Sequence, residues 1–405
     1  MSWNPILSKV IEVKREWEKL FGTDEKNEAP MFSKMLEELN KKEYNDIFDC
    51  LQIRQDGNYI LVRYGLHEIS RGLWDTPNSI YRECRSVVIN LKTEELVLTP
   101  FRKFFNLNEV KENSLEEVMK EISKAEVVEI TDKLDGSMQS ARWYNDKPFM
   151  AGSMSLNPKK SWRLEEGYKM LTQNYLDLLK DYPNYTFIFE FISLKDAHVV
   201  KYSQDKEGLY LTGVRDVMTG LELSYKDIKK MSEAYNVPMA KIENTTIEQV
   251  LEYMKTLSAD KKEGWILNID GHKIKIKCDD YVNLHRLLDK LTSVNTIIKN
   301  VAEDRIDDML SKTPKSHRDR IERLITIVRD YVAETESVIN YYYNKAPKNS
   351  KKCFMIWVDS NVPKEYRKYI KNKYLGRGYN ILKNNKNGYK TVKEMDLREK
   401  IVEVM

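Results

Sequence analysis

The chain has 405 residues, 41% hydrophobic and 10% aromatic with 24 tyrosines, enough to bury packed cores, so global disorder is excluded. No apolar run reaches the ~18–20 residues that cross a bilayer. The N-terminal MSWNPILSKVIEVKREW lacks the n-region, h-region and cleavage site of a secretion signal, so the expectation is a soluble cytoplasmic protein that does not enter membranes. The net charge is only +4, but residues 291–405 carry 24 Lys/Arg against 15 Asp/Glu, and 345–393 holds 14 basic residues with two acids, which points to a polyanion near the C-terminal part.

The length predicts two or three domains. Up to about residue 290, short strand-like runs alternate with helices. The strands are NYILVRY (58–64), ELVLT (95–99), VVEIT (127–131), TFIFEFI (186–192), LYLTGV (209–214), GWILNI (264–269) and HKIKIK (272–277), each bounded by Gly, Pro, Asn or Asp. SLEEVMKEISK opens with a capping box, Ser114 and Glu117. RLEEGYKMLTQNYLDLLK (163–180) and TIEQVLEYMKTL (246–257) have helical periodicity. The pattern predicts an α+β domain of antiparallel sheets with flanking helices over 1–290. A mainly α-helical, basic domain is expected over 291–405, where strands stop. There TPKSHRDRIERLITIVRDYVAETESVINYYY reads as one long helix with an apolar stripe of Ile321, Leu324, Val328, Tyr331, Val332, Val338 and Ile339. A break at KAPKNSKK and turns at GRG and NNKNG follow. Cys50, Cys84, Cys278 and Cys353 are scattered and pair with no histidine at zinc spacing, so reduced thiols are expected, with neither disulfides nor zinc.

The segment with most chemical content is EITDKLDGSMQSARW (129–143). An Asp-Gly between two such runs usually marks a hairpin turn. Lys133 ends the first run, and a lysine amine is a nucleophile only when neutral. Its ordinary pKa near ~10.4 must therefore be lowered, by burial or by neighbouring cations. In HKIKIK, period-2 alternation puts Lys273, Lys275 and Lys277 on one face, an arrangement costly without an anion such as phosphate. Glu190 interrupts the apolar FIFEFI and Glu263 directly precedes GWILNI; carboxylates in or beside buried strands need a metal, a sugar hydroxyl or a cation. Together these residues suit lysine attack on a nucleotide phosphate, with a metal and lysines neutralising the developing charge.

KLDGS (133–137) resembles the Lys-x-Asp-Gly-Ser nucleophile motif of the covalent nucleotidyltransferases, the ligase and capping-enzyme superfamily. FEFIS (189–193), EGWI (263–266) and KIK (275–277) resemble, in order, its other glutamate and lysine motifs. YRECRSVVIN (81–90), RKFFNLNE (102–109), FEFIS with HVVKY, GVRD (213–216) and KIKCDDYVNLH (275–285) are similar to the RNA ligase 1 family, the phage-type, tRNA-repair ATP-dependent RNA ligases; the detailed resemblance covers roughly 44–290. It implies that Lys133 attacks the α-phosphate of ATP and carries AMP. Asp135, Gly136 and Ser137 shape the turn, Glu190 binds the ribose, and Glu263 binds Mg²⁺ or Mn²⁺. Lys275 and Lys277 hold phosphate, and Arg85, Lys103 and Phe105 complete the pocket. AMP would pass to an RNA 5′-phosphate, and a 3′-OH would displace it. One departure stands out: the family has a basic residue about twenty positions after the nucleophile, where this chain has Ser153. Lys159, Lys160 and Arg142 are the candidates to replace it.

Simpler roles compete with these. Alternating lysines often guard an edge strand, the role expected of Lys273. Arg85 has a nearby acid in Glu83, Phe105 is equally a core residue, and His198 and His285 read as structural. In the basic tail, Phe354, Trp357, Tyr366, Tyr369, Tyr374, Tyr379 and Tyr389 interleave the lysines and would be available to stack on RNA bases. Rival functions are a DNA ligase or capping-type nucleotidyltransferase, against which RKFFNLNE and the lack of an OB-fold pattern after 290 both stand. A non-catalytic RNA-binding protein of the same fold and an interaction scaffold using the 313–345 helix are the others.

Overall fold

The structure is a computed structural model. It describes residues 3–22, 29–65, 73–74, 76, 78–196, 199–283, 285, 293–311, 315–384, 388–392 and 394–395. His198, the expected 290/291 domain boundary, Thr313 and Pro314 at the start of the long helix, and the centre of the NNKNG turn lie outside these residues. The chain divides into two compact units, 1–282 and 283–405.

The first unit is α+β, with three antiparallel sheets. Strands β1 (Leu51–Asp56), β2 (Tyr59–Tyr64), β3 (Arg85–Asn90) and β4 (Glu95–Leu98) form a meander. Helices Pro5–Phe21, Phe32–Leu39 and Lys42–Phe48 cover one of its faces. Asn4 starts the first helix, its Oδ1 accepting from the amides of Ile6 and Leu7 at 3.0 and 3.1 Å. Ile6, Val10, Phe32, Ile60, Val62 and Ile89 then pack as one core; burying each contributes roughly 1.5–3 kcal/mol.

The second sheet has the order β11–β10–β5, from β5 (Val128–Lys133), β10 (Gly264–Ile269) and β11 (His272–Lys277). The third has the order β7–β6–β8–β9, from β6 (Ser137–Tyr144), β7 (Lys147–Gly152), β8 (Tyr185–Ile192) and β9 (Gly208–Asp216). β5 and β6 therefore do not form a hairpin. The Asp-Gly step carries the chain from one sheet to another, because β5 pairs with β10 and β6 with β8. The apolar run expected to be one helix over 163–180 is two, Trp162–Met170 and Gln173–Asp181. The break at Leu171 lets Leu164, Leu171, Tyr175, Leu178 and Leu179 all reach the core beside Phe187 and Phe189.

The second unit is helical: Val294–Ala302, Ile306–Ser311, Lys315–Lys345, Lys351–Asn361 and Lys364–Tyr374. In the long helix, Ile321, Leu324, Ile325 and Val328 enter one core, and Ile339 enters a second with Phe354, Val358 and Ile370. The stripe is core, and Ile325 and the buried Thr335 extend it. Of the interleaved aromatics, Phe354 and Tyr369 are buried, Trp357, Tyr366, Tyr374 and Tyr379 are partly buried against their core, and Tyr389 is partly buried against the other. A small helical unit needs large rings to build its cores, and these sequester the rings while leaving Lys345, Lys348, Lys351, Lys352, Lys364 and Lys368 exposed.

Candidate active site

In the β11–β10–β5 sheet, Gly264 stands opposite Lys133 on one side and Lys277 on the other. The preceding residue, Glu263, is thereby held between two lysines. Its Oε2 accepts from Lys133 Nζ at 2.5 Å and its Oε1 lies 2.9 Å from Lys277 Nζ. Only glycine fits beside it, at φ +154°, because a Cβ on Gly264 would lie 2.0 Å from the Ile276 carbonyl oxygen. Glu263 is 3% exposed, and burial raises its pKa less than the two lysines together lower it, leaving its carboxyl below the usual range.

Lys133 differs from the expectation for a lowered nucleophile. Burial pushes its ammonium down, but Glu263 and Glu190 push it up further, so the resting pKa is raised. The depressed amine is Lys275 on the next strand. Burial and the neighbouring Arg85, Lys103, Lys133 and Lys277 hold it well below the ordinary lysine value.

Lys133, Lys275, Lys277 and Arg85 line one cavity of about 290 Å³, together with Glu190 and Lys273. The same cavity is also lined by the apolar Leu223, Ile228, Ala240 and Ile266 and by Tyr225. Glu190 on β8 accepts from the Gly136 amide at 3.0 Å. A Cβ on Gly136 would stand 2.5 Å from the Phe191 carbonyl oxygen, which is why the sheet-to-sheet step needs glycine there. Arg85 makes no ion pair among the described residues. Glu83 is taken by Arg215 at 2.9 Å and Arg102 at 3.4 Å, while Arg85 lies over Phe104 at 4.7 Å with its Nη1 buried and unpartnered. Burial depresses this guanidinium.

Other expected residues stand behind the wall. The Asp135 carboxylate is 5% exposed and acts as a pin: Oδ2 accepts from the amides of Val199 and Val200, both at 2.9 Å, and Oδ1 from Tyr281 Oη at 2.9 Å. Ser137 Oγ donates to Asp196 at 3.0 Å, and Asp196 is gripped by Arg163 at 2.6 and 2.7 Å. Lys103 lies 4.7–5.2 Å from the rings of Trp74, Phe105 and Tyr64, with burial lowering its pKa. Phe105 is 2% exposed, beneath Lys103, and does not face this cavity. Phe101 and Phe104 line it instead; Phe104 is the neighbouring ring of RKFFNLNE, and Phe101 lies just before that motif. Lys273 faces the cavity beside Phe101 at 4.3 Å and pairs with Glu222, so it does more than guard an edge; that edge is partly covered by the Asn106–Lys275 bridge. Among the site's supports, Tyr202, whose Oη accepts from the Asp135 amide at 2.7 Å, and Tyr281 lie within the HVVKY and KIKCDDYVNLH segments, whereas Arg163 carried no signal in the sequence.

Among the described residues no cluster of three or more His, Cys, Asp or Glu could hold a metal by itself. The donor set still fits a hard divalent cation, which commonly takes one or two carboxylates and completes its shell with phosphate and water oxygens. Glu190 lines the cavity, and Glu263, buried against the cavity-lining Lys133 and Lys277, is the carboxylate the motif resemblance assigns to that role.

A family model described as RNA ligase matches residues 83–281. A "Putative RNA ligase" of Thermovibrio ammonificans is 26% identical over 325 residues, covering 74% of this chain and 79% of that protein. Among solved structures, a Naegleria gruberi RNA ligase mutant with ATP and Mn is 17% identical with TM-score 0.35, covering 42% of this chain and just 55% of that one. An archaeal ATP-dependent RNA ligase is 11% identical with TM-score 0.45, covering 76% and 79%.

Proposed function

We propose, taking as premise that residues 83–281 place the chain in the RNA ligase family, that it seals RNA ends through a lysyl-AMP on Lys133. The observation that carries this reading is the Lys133–Glu263–Lys277 arrangement beside a cavity lined by both cationic and apolar side chains. A nucleotide has the matching polarity, with a flat base for Leu223, Ile228 and Ile266 and phosphates for the cations.

In the resting protein Lys133 is an ammonium held by Glu263, and attack requires that its proton first pass to solvent. The freed Nζ attacks the α-phosphorus of ATP; the P–N bond forms, the P–O bond to the β-phosphate breaks, and pyrophosphate leaves. Lys275 and Lys277 face the charge that develops. An oxygen of an RNA 5′-phosphate then attacks the adenylyl phosphorus, and the lysine leaves and regains a proton. A 3′-OH finally attacks the activated 5′-phosphorus, releasing AMP and closing the phosphodiester. A divalent metal held by Glu263, Mg²⁺ or Mn²⁺, would supply Lewis-acid polarisation of the phosphate oxygens.

The acceptor we propose is RNA with 5′-phosphate and 3′-OH ends, in tRNA or other RNA repair, inside the cell. The exposed lysines of the 283–405 unit supply phosphate contacts to structured RNA. No helix among the described residues is long and apolar enough to cross a membrane. Incubation with α-labelled ATP and metal, followed by denaturation, tests the nucleophile: an acid-labile labelled adduct is expected, absent from Lys133→Ala. A variant that still carries the label would refute it.

A further inference from the structure

The position where the related enzymes carry a basic residue is Ser153, and none of the three replacements considered from sequence reaches the site. Arg142 is turned away, its guanidinium donating to the carbonyls of Pro183 at 2.6 Å and Leu96 at 3.0 Å. Lys159 and Lys160 are exposed on the short helical turn Pro158–Lys160.

A cation reaches Ser153 from a different strand. Arg63, near the end of β2, donates from Nη1 to the Ser153 carbonyl at 3.4 Å. The Ser86 hydroxyl fixes the same carbonyl at 2.7 Å. In the β2–β3 ladder Arg63 stands directly opposite Arg85, after a register shift between Val62 and Arg63. Ser86 adopts φ +67°, an uncommon conformation for a side-chain-bearing residue, and it lies beside this pair.

Like charges directly opposed across an antiparallel pair repel. The ordinary remedy is a carboxylate, and neither arginine has an ion-pair partner among the described residues; the nearby Glu83 is spent on Arg215 and Arg102. Arg85 is desolvated, with Nη1 unpartnered, and Arg63 is one of the charges that depress it. A buried guanidinium without an acceptor costs stability unless a ligand supplies one. Two guanidiniums side by side match the oxygens of a phosphate.

We propose that Arg63 and Arg85 form a two-arginine phosphate site in which Arg63, delivered by β2, takes over the work of the basic side chain absent at Ser153. The inference rests on the ligase reading. Its ligand is a phosphate group from one of two sources: the β,γ-phosphates of ATP, which leave as pyrophosphate, or the 5′-phosphate of RNA.

The experiment uses the full chain, with Arg63→Ala, Arg63→Lys and the double variant Arg63→Ala with Ser153→Arg. Purified lysyl-AMP protein is challenged either with pyrophosphate, which reverses adenylylation, or with 5′-phosphorylated RNA, which accepts AMP. Arg63→Ala should raise the half-saturating concentration of one phosphate by about ten-fold or more, the effect of one lost charge-assisted hydrogen bond. Ser153→Arg should recover most of that loss, a rescue that a purely structural role for Arg63 would not show. Weakening confined to pyrophosphate assigns the site to the nucleotide, and weakening confined to RNA assigns it to the acceptor end; either supports the site. Unchanged response to both phosphates, or a loss that Arg63→Lys and Ser153→Arg both fail to relieve, overturns it. Absence of any adduct from the unmodified protein would instead defeat the ligase reading itself.

Discussion

Replacing Glu263 by glutamine keeps the shape of the side chain and removes one charge from between two lysines, 2.5 Å from one and 2.9 Å from the other. Opposite unit charges about 4 Å apart in a partly screened interior attract by about 4 kcal/mol, and breaking a buried pair costs about 3–5 kcal/mol because the partner stays buried. The side chains of Lys133 and Glu263 are 17% and 4% exposed, so little of this is screened away. The expected loss is therefore a few kcal/mol at neutral pH, equivalent to a fall in melting temperature of roughly 10 °C for a unit of this size. Linkage sets its pH window. The lysine pKa is raised on folding, so its share of the stability is present below the free value of about 10.4 and is lost as pH rises through the folded value. The glutamate pKa is lowered, so its share is present above about 4.3 and is lost as pH falls through the folded value. Thermal unfolding of both proteins should show a gap that is widest between these two free values and narrows as pH moves beyond either of them. Mass-spectrometric mapping of amine acylation should show Lys133 reacting faster in Glu263→Gln near neutral pH, since burial and the adjacent cations then act on it with less opposition. A gap unchanged at pH 11, or a Lys133 no more reactive than before, would refute the account of what holds its proton.

Lys275, depressed by burial and its cationic neighbours, should gain proton affinity when pyrophosphate or ATP binds; calorimetry in buffers of different ionisation enthalpy should show uptake over the pH range in which the free group titrates, with affinity falling as pH rises through that range. Lys275→Met should abolish that uptake. Gly264→Ala must displace the Ile276 carbonyl, so adduct formation should fall by about a hundredfold, the effect of a reactive group misplaced by roughly 1 Å, while circular dichroism stays close to the unmodified protein. Deletion of 291–405 should leave self-adenylylation intact but weaken sealing of tRNA-like substrates in a salt-dependent way; equal sealing with and without the tail would remove its proposed role.

Strands rich in β-branched and aromatic residues, such as β8, β10 and β11, were legible because alternation and terminal turn residues agree. β6, SMQSARWY, was not, because it is a central strand that buries the polar Gln139 and Ser140 with Ala141; Gln139 Nε2 finds its acceptor only through the tertiary fold, at the Arg163 carbonyl, while Gln139 Oε1 and Ser140 Oγ find no hydrogen-bond partner among the described residues. The gathering of Lys133, Glu190, Lys275 and Lys277 around one cavity, with Glu263 against two of the lysines, followed from their motifs. The proton on Lys133 did not, since it depends on a carboxylate that arrives from 130 residues away. In the tail, charge and aromatic content were readable, but whether rings face solvent or a core is decided by packing, and here the cores take them.

The ion pair at Lys133 also bears on the life of the protein between encounters with nucleotide. A neutral amine walled in by cations would be open to acylation or carbamylation by small electrophiles drifting into the cavity, and each such event would retire a molecule for good. Stored as an ammonium clasped by Glu263, the same atom is inert, so its reactivity is released only when an arriving ligand rearranges the charges around it.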